Sequence, residues 1–256
     1  MTSNNPFFKS KSFDKPQTVS VDQEGNRSVL IDYDQTMTVN GTINKSLLML
    51  LLLVATASFT WVMTDSGYNP MPFLIGGAVV GLILVVVASF KPHLSGYLAP
   101  GYAFFEGLFI GAVSAIFEAM YPGIVIQAVG ATFTTFLVCF LLYKYQIVKV
   151  TERFKSIVIG ATITIAIYYV ITWLLSMFTS FQPVQYGNSL MSIGISIIVI
   201  VVAALNLFLD FDQIEKGSEK QLPKYMEWFG AMGLMITLVW LYIEFLRLFS
   251  KIASRD

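Results

Sequence analysis

Apolar residues run in long blocks along this chain, and polar residues mark the gaps between them. From about residue 46 onward there are seven such blocks, at 46–64, 72–90, 101–120, 124–143, 156–179, 190–210 and 226–249. Each is close to the ~20 residues that about 30 Å of hydrocarbon requires of a helix. Connections such as "SGYNPMP", "YPG" and "SFQPVQYGNS" carry the Gly and Pro that break helices. The pattern predicts an all-α integral membrane protein built as a seven-transmembrane-helix bundle over residues 45–256. Residues 1–44 are polar and without sustained periodicity, so they are read as a largely disordered tail. The tail is too long and too acidic for the n-region of a signal peptide, so the first block is expected to stay in place as a span.

Composition agrees, with 55% hydrophobic and 12% charged residues and a mean hydropathy of +0.69. Such a balance would leave large apolar patches on a soluble surface. The formal net charge is +0, which points to no nucleic-acid partner. The basic residues inform by position instead. The gaps after the second, fourth and sixth blocks hold Lys91, then Lys144, Lys149, Arg153 and Lys155, then Lys216, Lys220 and Lys224, while the alternate gaps hold none. The excess of basic residues in cytoplasmic loops then places the tail and these gaps in the cytoplasm. Seven crossings put the C-terminus outside, yet "RLFSKIASRD" carries Arg247, Lys251 and Arg255. A re-entrant seventh segment, or an extra surface helix, would reconcile those charges.

Catalytic chemistry has little to work with. The single cysteine, Cys139, lies in an apolar block, which excludes an internal disulfide and a multi-cysteine metal site. The single histidine, His93, reads as a solvated loop residue, since zinc sites need three or four ligands. No H-E-x-x-H or G-x-S-x-G motif occurs, so no enzyme and no resident cofactor are expected. Small residues at four-residue spacing, Gly77 with Gly81 and Gly107 with Gly111, read as helix-packing surfaces within the bundle.

The acids inside the blocks stand out, because each costs about 2.5–3.5 kcal/mol on insertion scales and usually faces a bundle interior or a wet cavity. Glu106 and Glu118 lie in the third block, Asp210 and Asp212 close the sixth, and Glu227, Glu244 and Arg247 lie in the seventh. With about 1.5 Å of rise per residue, Glu106 and Asp210 fall near the cytoplasmic side and Glu118 and Glu244 near the other, as two tiers. Asn206 shares a helical face with Asp210, whereas Asp212 points about 200° away and is read as facing the cytoplasmic boundary. Glu244 and Arg247, three apart, are spaced to pair. Glu227 is placed to complement a helix dipole. Paired carboxylates in low dielectric switch near neutral pH and suit Ca²⁺, a cation that prefers several oxygens.

The stretches "GYAFFEGLFIGAVSAIFE", "LNLFLDFDQIEKG" and "WLYIEFLRLF" resemble the Bax inhibitor 1 family, in its bacterial YccA-like branch. The resemblance covers roughly residues 45–254. It implies a seven-helix bundle with the last helix central and a pH-sensitive calcium leak governed by two carboxylates. The family's D-x-x-Q-I pattern falls on Asp210, Gln213 and Ile214. Its second aspartate falls on Glu244 in "LYIEF", or on Thr237 if the register is anchored at "FLRLF", and in either case Glu106 is placed to supply the missing carboxylate. A basic latch before the third helix has Lys91 as its nearest counterpart. The reading that follows is a cation leak, passing Ca²⁺ and H⁺, in a bacterial cytoplasmic membrane. Its pathway or sensor is drawn from Asp210, Glu244, Glu106, Asp212 and Glu118, supported by Asn206, Arg247 and Lys91, with transient Ca²⁺ at Asp210 and Glu106. The alternative is a non-conducting regulator that binds a membrane protease or stress-response partner through the tail.

Overall fold

A computed structural model of the chain describes residues 19–21, 27–29, 36–178, 187 and 189–255. Seven helices long and apolar enough to cross a membrane lie among them. They are α1 (Val39–Asp65), α2 (Met71–Phe90), α3 (Ser95–Met120), α4 (Ile124–Lys144), α5 (Glu152–Phe178), α6 (Leu190–Glu219) and α7 (Met226–Ala253). A single 3-10 turn at Pro92–Leu94 joins α2 to α3 and carries the exposed His93.

The tail expectation falls mostly outside the described residues. Within it, β1 (Val19–Val21) pairs antiparallel with β2 (Arg27–Val29), Val19 opposite Val29. The composition predicts no strand there, although "VSV" has the period of two that a strand needs.

Helix ends differ from the apolar blocks where polar groups find local partners. α1 begins seven residues before its block, because the Thr38 side chain caps it by accepting from the Gly41 N–H at 2.9 Å. α6 is the larger correction. It continues nine residues past Asp210, so the two aspartates lie inside a helix rather than at its end. Phe211, Ile214 and Gly217 are buried in that extension, and Lys216 pairs with Asp212 one turn earlier, so both packing and charge favour continued helix.

α7 is the central element and touches α1, α3, α4 and α6. In its most apolar 18-residue stretch 61% of residues are buried, against 11% in α5, which rests chiefly on α6. α3 lies along both α1 and α2. The glycine pairs make that closeness possible: a Cβ on Gly77 would sit 2.6 Å from the Phe105 carbonyl oxygen, and one on Gly107 or Gly111 would overlap the α1 backbone. Both pairs therefore serve packing within the bundle.

The seventh segment is neither re-entrant nor followed by a surface helix among the described residues. α7 runs 28 residues without a break, antiparallel to α6. The cations near its end are taken up inside the protein. Arg247 donates to Glu244 at 3.1 Å, and Lys251, 8% exposed, donates to the Ser192 carbonyl at 3.2 Å and the Ser196 hydroxyl at 2.7 Å. Arg247 is paired with an acid and Lys251 is hydrogen-bonded to the start of α6, so both cations are held by the bundle itself, at the end of α7 opposite the lysine-rich connections.

Candidate functional site

The acids split into those with cationic or backbone partners and those without. Asp212 is 7% exposed and sits between Lys155 and Lys216, each at 2.8 Å, with Lys155 also reaching Glu152 at 3.3 Å. It is a buried ion-pair centre joining the start of α5 to α6, which corrects its reading as a boundary residue. Beside it, the Tyr143 hydroxyl of α4 donates to Glu215 of α6.

Glu227, 1% exposed, is tied to the chain entry. It accepts from the Thr38 N–H and hydroxyl, each at 2.9 Å, and pairs with Lys45, whose ammonium lies 5.4 Å from the Trp228 ring centroid. The Met37 N–H donates to the Leu222 carbonyl at 2.6 Å and Thr36 bridges Pro223, so the start of α1 is stapled to the α6–α7 connection.

On the opposite face, Glu244 is 1% exposed and holds Arg247, while the Tyr169 hydroxyl of α5 donates to it at 3.1 Å. Arg247 also stacks on the Tyr169 ring at 5.6 Å. Glu118 accepts from the backbone N–H groups of Gly123 at 2.6 Å and Val125 at 3.1 Å, so it caps the start of α4. Both acids of this tier therefore have structural partners.

Asp210 and Glu106 differ. Asp210 lines a cavity of about 80 Å³ with Val85 and Ser89 of α2, Gln213 of α6 and Gly233 and Ile236 of α7. Its Oδ2 is buried and has no hydrogen-bond partner among the described residues. The Thr237 side chain lies against the carboxyl while donating to the Gly233 carbonyl at 3.3 Å. No other residue lining the cavity carries a charge. The mouth is formed at Ser89 and Gln213, both exposed. Glu106 faces α2 at Gly81, where an added Cβ would meet its Oε2 at 2.9 Å. Gly81, Val85 and Ser89 are four apart and form one stripe of α2, so the two unpaired carboxylates address the same helix face.

This geometry keeps the two expected tiers apart and changes the reading of Asn206 and Lys91. Asp210 meets Thr237 and not Glu244, which stands about 10 Å further along α7 by helical rise. Buried Leu207, Leu238 and Leu241 lie between the two tiers. Asn206 donates to Thr162 of α5 at 2.8 Å and to the Val202 carbonyl at 2.8 Å, so it serves the α5–α6 contact and not the Asp210 cavity. Lys91 is the exposed C-cap of α2 and has no acidic partner among the described residues, so it latches nothing here. Among those residues no three of His, Cys, Asp and Glu converge on one point. Thr237 was accessible from the alternative register; Ser89, Gly233 and Lys155 carry no signal in the sequence that would single them out.

A bundle of seven apolar helices closed around a buried last helix, with acids held inside it, defines a polytopic integral membrane protein. The chain matches the family described as Bax inhibitor 1 like over residues 5–254 and belongs to that family. No curated protein matches it.

Proposed function

We propose that this protein is a passive, pH-sensitive cation leak, with Ca²⁺ among the permeant ions and Asp210 as the sensor at its inner end. One observation carries the reading: a half-buried aspartate with an unpartnered oxygen lines a cavity whose mouth, at Ser89 and Gln213, opens near the lysine-rich face. The positive-inside rule turns that face toward the cytoplasm. Burying a carboxylate without compensation is costly, and such sites in a membrane are usually ion or proton routes. Ionised Asp210 attracts a cation into the cavity; protonated Asp210 offers no charge, and the leucines above it stay closed. Glu106, on the same stripe of α2, is the next carboxylate along the route.

The test is calcium entry into dye-loaded proteoliposomes, wild type beside Asp210→Asn, over pH from about 5 to 8. Flux in the wild type is expected to rise with pH and the mutant is expected to lose that dependence. Folded protein that passes no ion at any pH, or a mutant with the wild-type profile, refutes the proposal.

A further inference from the structure

We propose that the cleft beside Asp210 binds the primary ammonium head group of a bilayer phospholipid. α2 packs on α3 and has few contacts with α6 or α7, and the cavity lies between Val85 and Ser89 of α2 and the α6–α7 pair, with its mouth at Ser89 and Gln213. The outward surface of α2 at this level is apolar: Val86 is 45% and Phe90 82% exposed. The mouth at Ser89 and Gln213 thus stands where the lysine-rich face meets the apolar surface of α2, the level of a lipid head group.

The lining matches an ammonium group in charge and in hydrogen bonds. A primary ammonium carries three N–H donors. The cavity offers three acceptors, the Asp210 carboxylate, the Gln213 amide oxygen and the Ser89 hydroxyl, with no competing cation. Its ~80 Å³ accommodates the ammonium and the carbon beside it. A trimethylated head group has no N–H to give and is wider. As a resident ligand a divalent metal fits less well, because Ca²⁺ held in place takes six to eight oxygens and only one carboxylate is present, whereas an ion in passage needs only that carboxylate's attraction. The walls beyond the acceptors, Val85, Phe229 and Ile236, are apolar and suit the rest of an amphiphile. Lys91, exposed two residues beyond Ser89 at the end of α2, offers a cation to the lipid phosphate. This inference does not need the leak to exist, since binding is read without ion flux.

The experiment is native mass spectrometry of the full chain released from nanodiscs holding equal amounts of ethanolamine and choline phospholipid with identical acyl chains. The wild type is expected to retain the ethanolamine lipid about tenfold or more in preference, the scale of one hydrogen bond to a charged group. Asp210→Asn is expected to lose that preference, and so is Ser89→Leu, which fills the mouth from the lipid side and leaves the carboxylate in place. Added dodecylammonium is expected to displace the ethanolamine lipid from the wild type. Equal retention of the two lipids, an undiminished preference in Asp210→Asn, or a preference that dodecylammonium leaves intact overturns the assignment. Circular dichroism and protection of the buried Cys139 thiol confirm that each variant is folded.

Discussion

Glu227 of α7 is a buried acid whose ion pair and hydrogen bonds reach the start of α1, so a single charge change there tests that junction. Replacing it with alanine removes the acceptor of the Thr38 N–H and hydroxyl and leaves Lys45 without its counter-charge. Removing one partner of a buried ion pair costs about 3–5 kcal/mol. Lys45 keeps 18% of its side chain exposed, so water relieves part of the loss and the lower end applies, about 3 kcal/mol. At about 2–4 °C per kcal/mol for a chain of this size, the melting temperature falls by roughly 6–12 °C. The protein carries its own reporter. Cys139 is its single cysteine and is buried in α4, so a thiol-reactive dye in detergent becomes fluorescent as the bundle opens. Glu227→Gln keeps an oxygen for Thr38 and loses only the charge, and a smaller loss of about 1–2 kcal/mol is expected. The double change Lys45→Met with Glu227→Leu, which removes both charges, is expected to recover most of the stability. A Glu227→Ala protein that melts within about 1 °C of wild type would refute the claim that this pair holds α1 to α7.

Two further outcomes follow from the packing and the topology. Gly107→Ala drives a methyl group into Thr56 and the Leu53 carbonyl of α1 and is expected to cost about 1–3 kcal/mol, whereas Gly130→Ala, with nothing within 4 Å of the new Cβ, is expected to be neutral or stabilising; the same dye assay separates them. In a Cys139→Ser background, cysteines placed at Ser218 and at Ser254 are expected to react with an impermeant maleimide from opposite sides of sealed vesicles. Labelling from one side would mean that α7 does not cross.

The seven helices were legible because twenty-residue apolar blocks leave few alternatives to a spanning helix. The end of α6 was not, because the rule that finds a span reads hydropathy, and a helix carries on beyond hydrocarbon wherever its polar side chains have partners. Lys216 supplies one to Asp212 from within the helix, which spacing could suggest, but Lys155 comes from α5, and no feature of the sequence brings it there. The same holds for Tyr169 on Glu244 and Lys45 on Glu227. The C-terminal cations misled for a related reason. Arg247 and Lys251 count as free charges in a loop-counting rule, yet each is absorbed by an acid or by the start of α6.

What the sequence offers, then, is a set of intramembrane acids, and what the fold does is sort them. Asp212, Glu227 and Glu244 are more than nine-tenths buried and each has a cation within hydrogen-bonding reach, while Glu118 is spent on two backbone N–H groups. For these four the cost of leaving water is offset locally, and their presence needs no function to explain it. Asp210 meets the Thr237 side chain but leaves its Oδ2 unpartnered, and neither it nor Glu106 has a cation or backbone N–H partner among the described residues. An apolar residue at either place would suit the surroundings better: Gly233 and Val85 line the Asp210 cavity, and Gly81 leaves room for the Glu106 carboxylate on α2. A bundle that compensates four acids with cations or backbone N–H groups and leaves two without either on one helix stripe departs from its own pattern at that stripe, and such departures are where function is expected. The stripe running from Ser89 through Val85 to Gly81 is accordingly the surface along which an ion, a proton or a cationic head group would meet the protein's uncompensated charge.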